Sequence, residues 1–112
     1  MDDISIYDGP GGAIEVRVEG ETVWLTQRQM AELFDSTTDN IGLYLKSIFS
    51  DNELEKSATV EEYSVVQKDR ARKVRRKLKH YNLDAIISVG YRVNTRRGVH
   101  FRQWATRISD AR

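Results

Sequence analysis

Residues 26–49, TQRQMAELFDSTTDNIGLYLKSIF, leave this chain few ways to fold. Met30, Ala31 and Phe34, then Ile41, Tyr44, Leu45, Ile48 and Phe49, recur at the three-and-four spacing that lines one side of a helix. Between the two apolar sets stands DSTT. Its side chains compete with the helical backbone, so it ends one helix and starts the next, with Ser36 or Thr37 as the N-cap. Two short helices joined by so few residues cross steeply, which is the helix-turn-helix arrangement. Ala31 is small where the first helix passes the second, and Ile41, ten residues later, points back at it. Asp35 stands at a turn position that often needs positive φ, where glycine is commoner and Asp is tolerated. An ordinary αα-hairpin in a small core carries the same pattern, because the fold of a site does not fix its use.

The flanking segments read as strands. Ile14, Val16 and Val18 alternate with Glu15 and Arg17, Glu19-Gly20-Glu21 turns, and residues 22–25 return as a second strand. This hairpin delivers the chain to the first helix, with Thr26 as its N-cap and Trp24 as a packing residue. Residues 1–13 end in GPGGA and read as a flexible arm, leaving 14–112 as a single domain. Beyond Phe49, residues 50–62 read as a helix end and a loop, and YSVVQ, 63–67, as a strand. Residues 68–81 are ambiguous. Val74, Leu78, Tyr81 and Ala85 recur at helical spacing, yet Val74, Arg76, Leu78 and His80 alternate with Lys73, Arg75, Lys77 and Lys79 as in a strand.

Net charge is only +1, but it is unevenly spread: residues 1–67 hold 4 Lys or Arg against 14 Asp or Glu, and residues 68–107 hold 13 against 2. Such asymmetry implies a polyanion-binding face, an acidic protein partner, or attraction between copies of the chain. The helix pair lies in the acidic half. With no cysteine, and with His80 and His100 far apart in sequence, neither disulfides nor a metal centre is expected, and no cofactor. No phosphate-cradling glycine loop, nucleophile motif or paired carboxylates appear, so no enzyme is expected. The acidic start MDDISIYDG is no signal peptide and no long apolar run exists, so a soluble cytoplasmic protein without membrane contact is expected.

The run HYNLDAIISVGYRVNTRRGVHFRQWAT, residues 80–106, resembles the signature of the RhuM family of bacterial virulence-associated and mobile-element proteins. VWLTQRQMAELF and NIGLYLKSIF are similar to that family's N-terminal region, so the resemblance runs from about residue 14 to 107. It implies a DNA-binding domain of winged-helix type, with the segment before HYNLD as a β-hairpin, and it brings no enzymatic activity or catalytic residues. Residues 68–81 are therefore expected to be extended. Members of the family continue past WAT, whereas here ISDAR follows, so an N-terminal domain, a natural short version or a cut piece is expected, with a C-terminal region as one candidate partner. KDRAR also stands where the family tends to place a glycine-containing turn. Within the signature, Asn82 or Asp84 caps a helix carrying Leu83, Ile86, Ile87 and Tyr91 inward. Asn94 or Thr95 caps a last helix that buries Val99, Phe101, Trp104, Ala105 and Ile108.

The expected fold is thus α+β: a winged-helix-like helix-turn-helix with an N-terminal hairpin, a basic hairpin wing and two C-terminal helices. The expected function is sequence-specific binding of double-stranded DNA by a bacterial or mobile-element regulator of transcription. Thr37, Thr38, Asn40 and Leu43 would meet base edges in the major groove. Lys46, Lys68, Arg70, Arg72, Lys73, Arg75, Lys77, Lys79, Arg96 and Arg97 would meet phosphates, while Asp39 opposes that arrangement. The alternative is a protein-interaction or homo-oligomerisation module in which acidic and basic halves pair.

Overall fold

Alternation of inward and outward side chains builds most of this architecture. In the computed structural model, which describes residues 3–110, the chain runs β1 (Asp3–Gly9), β2 (Gly12–Glu19), β3 (Thr22–Thr26), α1 (Gln27–Leu33), α2 (Thr38–Ser50), α3 (Lys56–Thr59), β4 (Val60–Asp69), β5 (Arg72–Asn82), α4 (Leu83–Val93) and α5 (Thr95–Asp110). The fold is α+β, with a five-stranded antiparallel sheet in the order β1-β2-β3-β5-β4. No helix among the described residues is long and apolar enough to cross a membrane.

One face of the sheet is packed by the helices. Val16, Val18, Val23 and Leu25 from the strands meet Met30, Leu33 and Phe34 of the α1 segment and Ile41 and Ile48 of α2, all essentially inaccessible to solvent. Ala31 and Ile41 are both buried, as the expected close crossing of α1 and α2 requires. Side-chain caps fix the helix starts. Thr26 and Gln29 form a reciprocal capping box, and Thr37, Asn82 and Asn94 accept from the backbone N–H of Asn40, Ala85 and Arg97. Asp35 takes the left-handed conformation with φ 54°.

The expected flexible arm over residues 1–13 is corrected for the described part. Residues 3–9 form β1, paired with β2 from Asp3 opposite Val18 to Gly9 opposite Gly12. Tyr7 explains why: its ring is buried edge-on against Phe101 and Trp104 of α5, at 5.1 and 5.2 Å between centroids. The glycines that suggested looseness form the hairpin turn instead.

On α4 the buried side carries Ala85, Ile86, Val89 and Gly90, and Tyr91, expected inward, is half exposed. The inward position belongs to Gly90, which lets α4 approach Gly98 of α5 and the Phe34 ring. On α5 Phe101 and Ala105 are fully buried and Trp104 and Ile108 partly so.

The opposite sheet face holds a smaller cluster that anchors the long β4–β5 ribbon. The Arg17 guanidinium lies 4.5 Å from the centre of the Tyr63 ring and donates to the Ser64 carbonyl at 3.1 Å. Trp24 and His80 each meet Tyr63 edge-on, and the Trp24 indole N–H donates to the Glu19 carbonyl.

Candidate nucleic-acid interface

Residues 68–81 form a hairpin, not a helix. β4 and β5 pair over their whole length, from Val60 opposite Tyr81 to Asp69 opposite Arg72, around a two-residue turn, Arg70-Ala71. β3 pairs with β5 only at residues 80–82, so the ribbon runs on beyond the sheet for the length of residues 72–79. At roughly 3.3 Å per residue, that projection is about 26 Å.

Strand periodicity sorts its charges. Lys73, Arg75, Lys77 and Lys79 alternate along one side of β5, all exposed, on the side that Tyr81 shares. Tyr81 stacks on Phe49 of α2 with ring centres 6.5 Å apart, so this basic row lies on the same side of the sheet as the α1–α2 pair. Lys46 of α2 is exposed and lines one cleft with Phe49 and Tyr81. Across the ribbon, Lys68 stands opposite Lys73 and Glu62 opposite Lys79. Among the described residues no ion pair engages any of the row's cations. A row of cations in which only Lys79 has an acidic cross-strand partner is a standing attraction for a polyanion.

Not every expected phosphate contact joins the row. Arg72 alternates onto the other side of β5, with Val74 and Leu78, and Arg70 forms the tip. Arg96 is exposed at the start of α5, but Arg97 is half-buried and donates to the Leu33 carbonyl at 3.2 Å, tying α5 to the end of α1. Arg97 is thus first a structural tie.

Thr37, Thr38, Asn40 and Leu43 are all exposed at the N-terminal end of α2, Leu43 at 66% of its full surface. Thr37 spends its side chain on the cap, and Gln27 donates to the Thr38 carbonyl, leaving the Thr38 and Asn40 side chains toward solvent. Asp39 sits in the first turn, where a carboxylate complements the helix dipole. Its place therefore has a folding reason.

Two cations escaped the sequence reading. Arg76 is exposed on β5 between Val74 and Leu78, and Arg28 is exposed on α1. Arg28 borders the notch left where β3 turns into α1 while the ribbon continues, a groove of about 710 Å³ lined also by Ile14, Val65, Leu78 and Tyr81, and it shares a smaller cleft with Arg76. Arg28 lies in the acidic half, and only the strand order brings it near the ribbon.

At the ribbon's base His80 is buried, with Nδ1 2.9 Å from the Leu78 carbonyl. Burial holds its pKa below the usual imidazole value, the Leu78 carbonyl opposes that, and nearby Arg17 adds to it.

Residues 58–110 match the Virulence protein RhuM family. The RhuM match takes in both ribbon strands, α4 and α5, and so contains the whole basic row. The α1–α2 pair lies outside it. No curated protein and no solved structure matches the chain.

Proposed function

We propose that this RhuM-related chain is a non-enzymatic, cytoplasmic DNA-binding protein of winged-helix type. In this reading α1–α2 is the helix-turn-helix and the β4–β5 ribbon is the wing. The N-terminal end of α2 enters the major groove, where Asn40 pairs with adenine and Thr38 and Leu43 meet neighbouring base edges. The row Lys73, Arg75, Lys77 and Lys79, with Lys46, neutralises phosphates beside that groove. Sequence-specific regulation of bacterial or mobile-element genes is the role that follows.

The observation that carries the reading is the row of four exposed cations, none of them held in an ion pair among the described residues, on the side of β5 whose Tyr81 packs on α2. The test is to replace Arg75, Lys77 and Lys79 by Gln and titrate random-sequence duplex DNA. These positions pair with Val66, Ser64 and Glu62 on an exposed ribbon surface, so the fold survives the change. A large loss of affinity, equal for all sequences, supports the reading, and unchanged affinity rejects it.

A second reading, a homo-oligomerisation or protein-docking module, is favoured by the edge strand β1. Ile4 and Ile6 are each about half exposed there, at 52% and 51%, on a strand with one unpaired edge. Molar mass in solution for the parent and for Ile4→Thr/Ile6→Thr decides it.

A further inference from the structure

The tip of the ribbon is built against its own stability. Arg70 is the first residue of a two-residue hairpin turn and has φ 58°. That position, with positive φ, is one that hairpin turns reserve for glycine, because a β-carbon is crowded there. Asp69 and Arg72, an opposite-charged pair, close the turn, and one pair further back Lys68 and Lys73 face each other as a like-charged pair, which disfavours the hairpin. Arg70 and Arg72 complete a knot of four cations with Asp69 as the only carboxylate in the turn segment 68–73. Both features loosen a free hairpin; the charge repulsion is relieved once a concentrated negative potential surrounds the tip, while the backbone strain stays as a cost of holding Arg70 at the turn. Strain of this kind marks places where the backbone serves something other than stability.

Reach sets where the tip goes. The ribbon's base is tied to α2 through Tyr81 and Phe49. Its projection of about 26 Å exceeds the roughly 17 Å, half of a 34–36 Å helical turn, between a major groove and the next minor groove. If α2 lies in a major groove, the basic row crosses the intervening phosphates and the tip arrives over the adjacent minor groove. That groove is narrow and most negative over A·T-rich sequence, where a single guanidinium enters with the greatest gain.

Resting on the DNA-binding reading above, we infer that Arg70 is a specificity-determining residue that inserts into the minor groove beside the major-groove site and selects an A·T-rich flank. The row behind it supplies affinity without regard to sequence, whereas Arg70 supplies preference at base pairs that α2 never touches.

The test uses duplexes with a randomised centre and fixed flanks of A·T, G·C or inosine·C pairs. Inosine·C keeps the major-groove face of G·C but lacks the amino group in the minor groove. The parent chain is expected to bind the A·T and inosine·C duplexes alike, and roughly five- to tenfold more tightly than the G·C duplex. Arg70→Gly suits the positive φ, so it should melt at or above the parent temperature while binding all three duplexes equally. Arg70→Lys should retain overall affinity and lose most of the preference. Parent binding that ignores the flanks, or a preference that persists in Arg70→Gly, overturns the assignment of Arg70 and leaves the DNA-binding reading standing. Absence of binding to every duplex overturns both.

Discussion

Gly90→Ala is a small change that reports on the packing behind the α1–α2 pair. A methyl group at Gly90 would lie 2.9 Å from Phe34 Cζ and 3.2 Å from Gly98 Cα. Neither neighbour gives way easily, since Phe34 is 1% exposed and Gly98 contributes backbone. In an open helix Ala would gain up to about 1 kcal/mol over Gly. Overpacking a full core costs roughly 1–3 kcal/mol, so the net expectation is a loss of about 1–2 kcal/mol. At about 4–8 °C per kcal/mol for a domain of this size, a thermal melt resolves it. Gly42→Ala is the control. There the methyl meets only the flexible end of Gln27, so propensity gain and a displaced Gln27–Thr38 hydrogen bond nearly cancel. Phe34→Leu should cost less in the Gly90→Ala background than alone, because the two sites share one volume. A Gly90→Ala protein that melts at or above the parent temperature would refute this account of how α4 and α5 seat the helix pair.

Ile41→Asp, a carboxylate at a fully buried position between α1 and α2, should abolish the cooperative melt, since several kcal/mol exceeds much of a total of roughly 5–15. Thr38→Ala and Asn40→Ala should leave the melt intact and flatten base preference in a random-site selection, each contact being worth about 1–3 kcal/mol. His80 should make stability fall as pH drops below its ordinary pKa of 6.5. Its folded pKa is depressed, so in that window the unfolded chain binds a proton that the folded chain refuses, whereas above it the contribution is constant. Urea unfolding at about pH 7.5 and 5.5 measures this, and the difference should shrink in His80→Gln.

What could be read from the sequence was whatever has a short period or a local cap. The alternation of Ile14, Val16 and Val18, the helical spacing of residues 30–49, the Thr26 cap and the positive φ of Asp35 are all decided by near neighbours. Periodicity alone left residues 68–81 undecided, because Val74 and Leu78 are four apart and suit both a helix and a strand. Pairing with β4 decided it, over a range that no local signal covers. β1 was missed for the same reason: Tyr7 is ordered by Phe101 and Trp104, more than ninety residues later. The basic row was visible in the sequence, but its side of the sheet and the separation of Arg72 from it depend on strand phase. Arg97 needed the fold to reveal its bond to Leu33.

The central claim is that the ribbon row meets DNA phosphates, and the most direct measurement is duplex affinity of the intact chain as a function of salt. If Lys46, Lys73, Arg75, Lys77 and Lys79 each neutralise one phosphate, the logarithm of affinity should fall with the logarithm of salt at a slope of about −4.5, from roughly 0.9 per phosphate. Replacing Arg75, Lys77 and Lys79 by Gln leaves Lys46 and Lys73 and should bring that slope to about −1.8. A parent slope near zero, or one that the triple variant leaves unchanged, would contradict the claim.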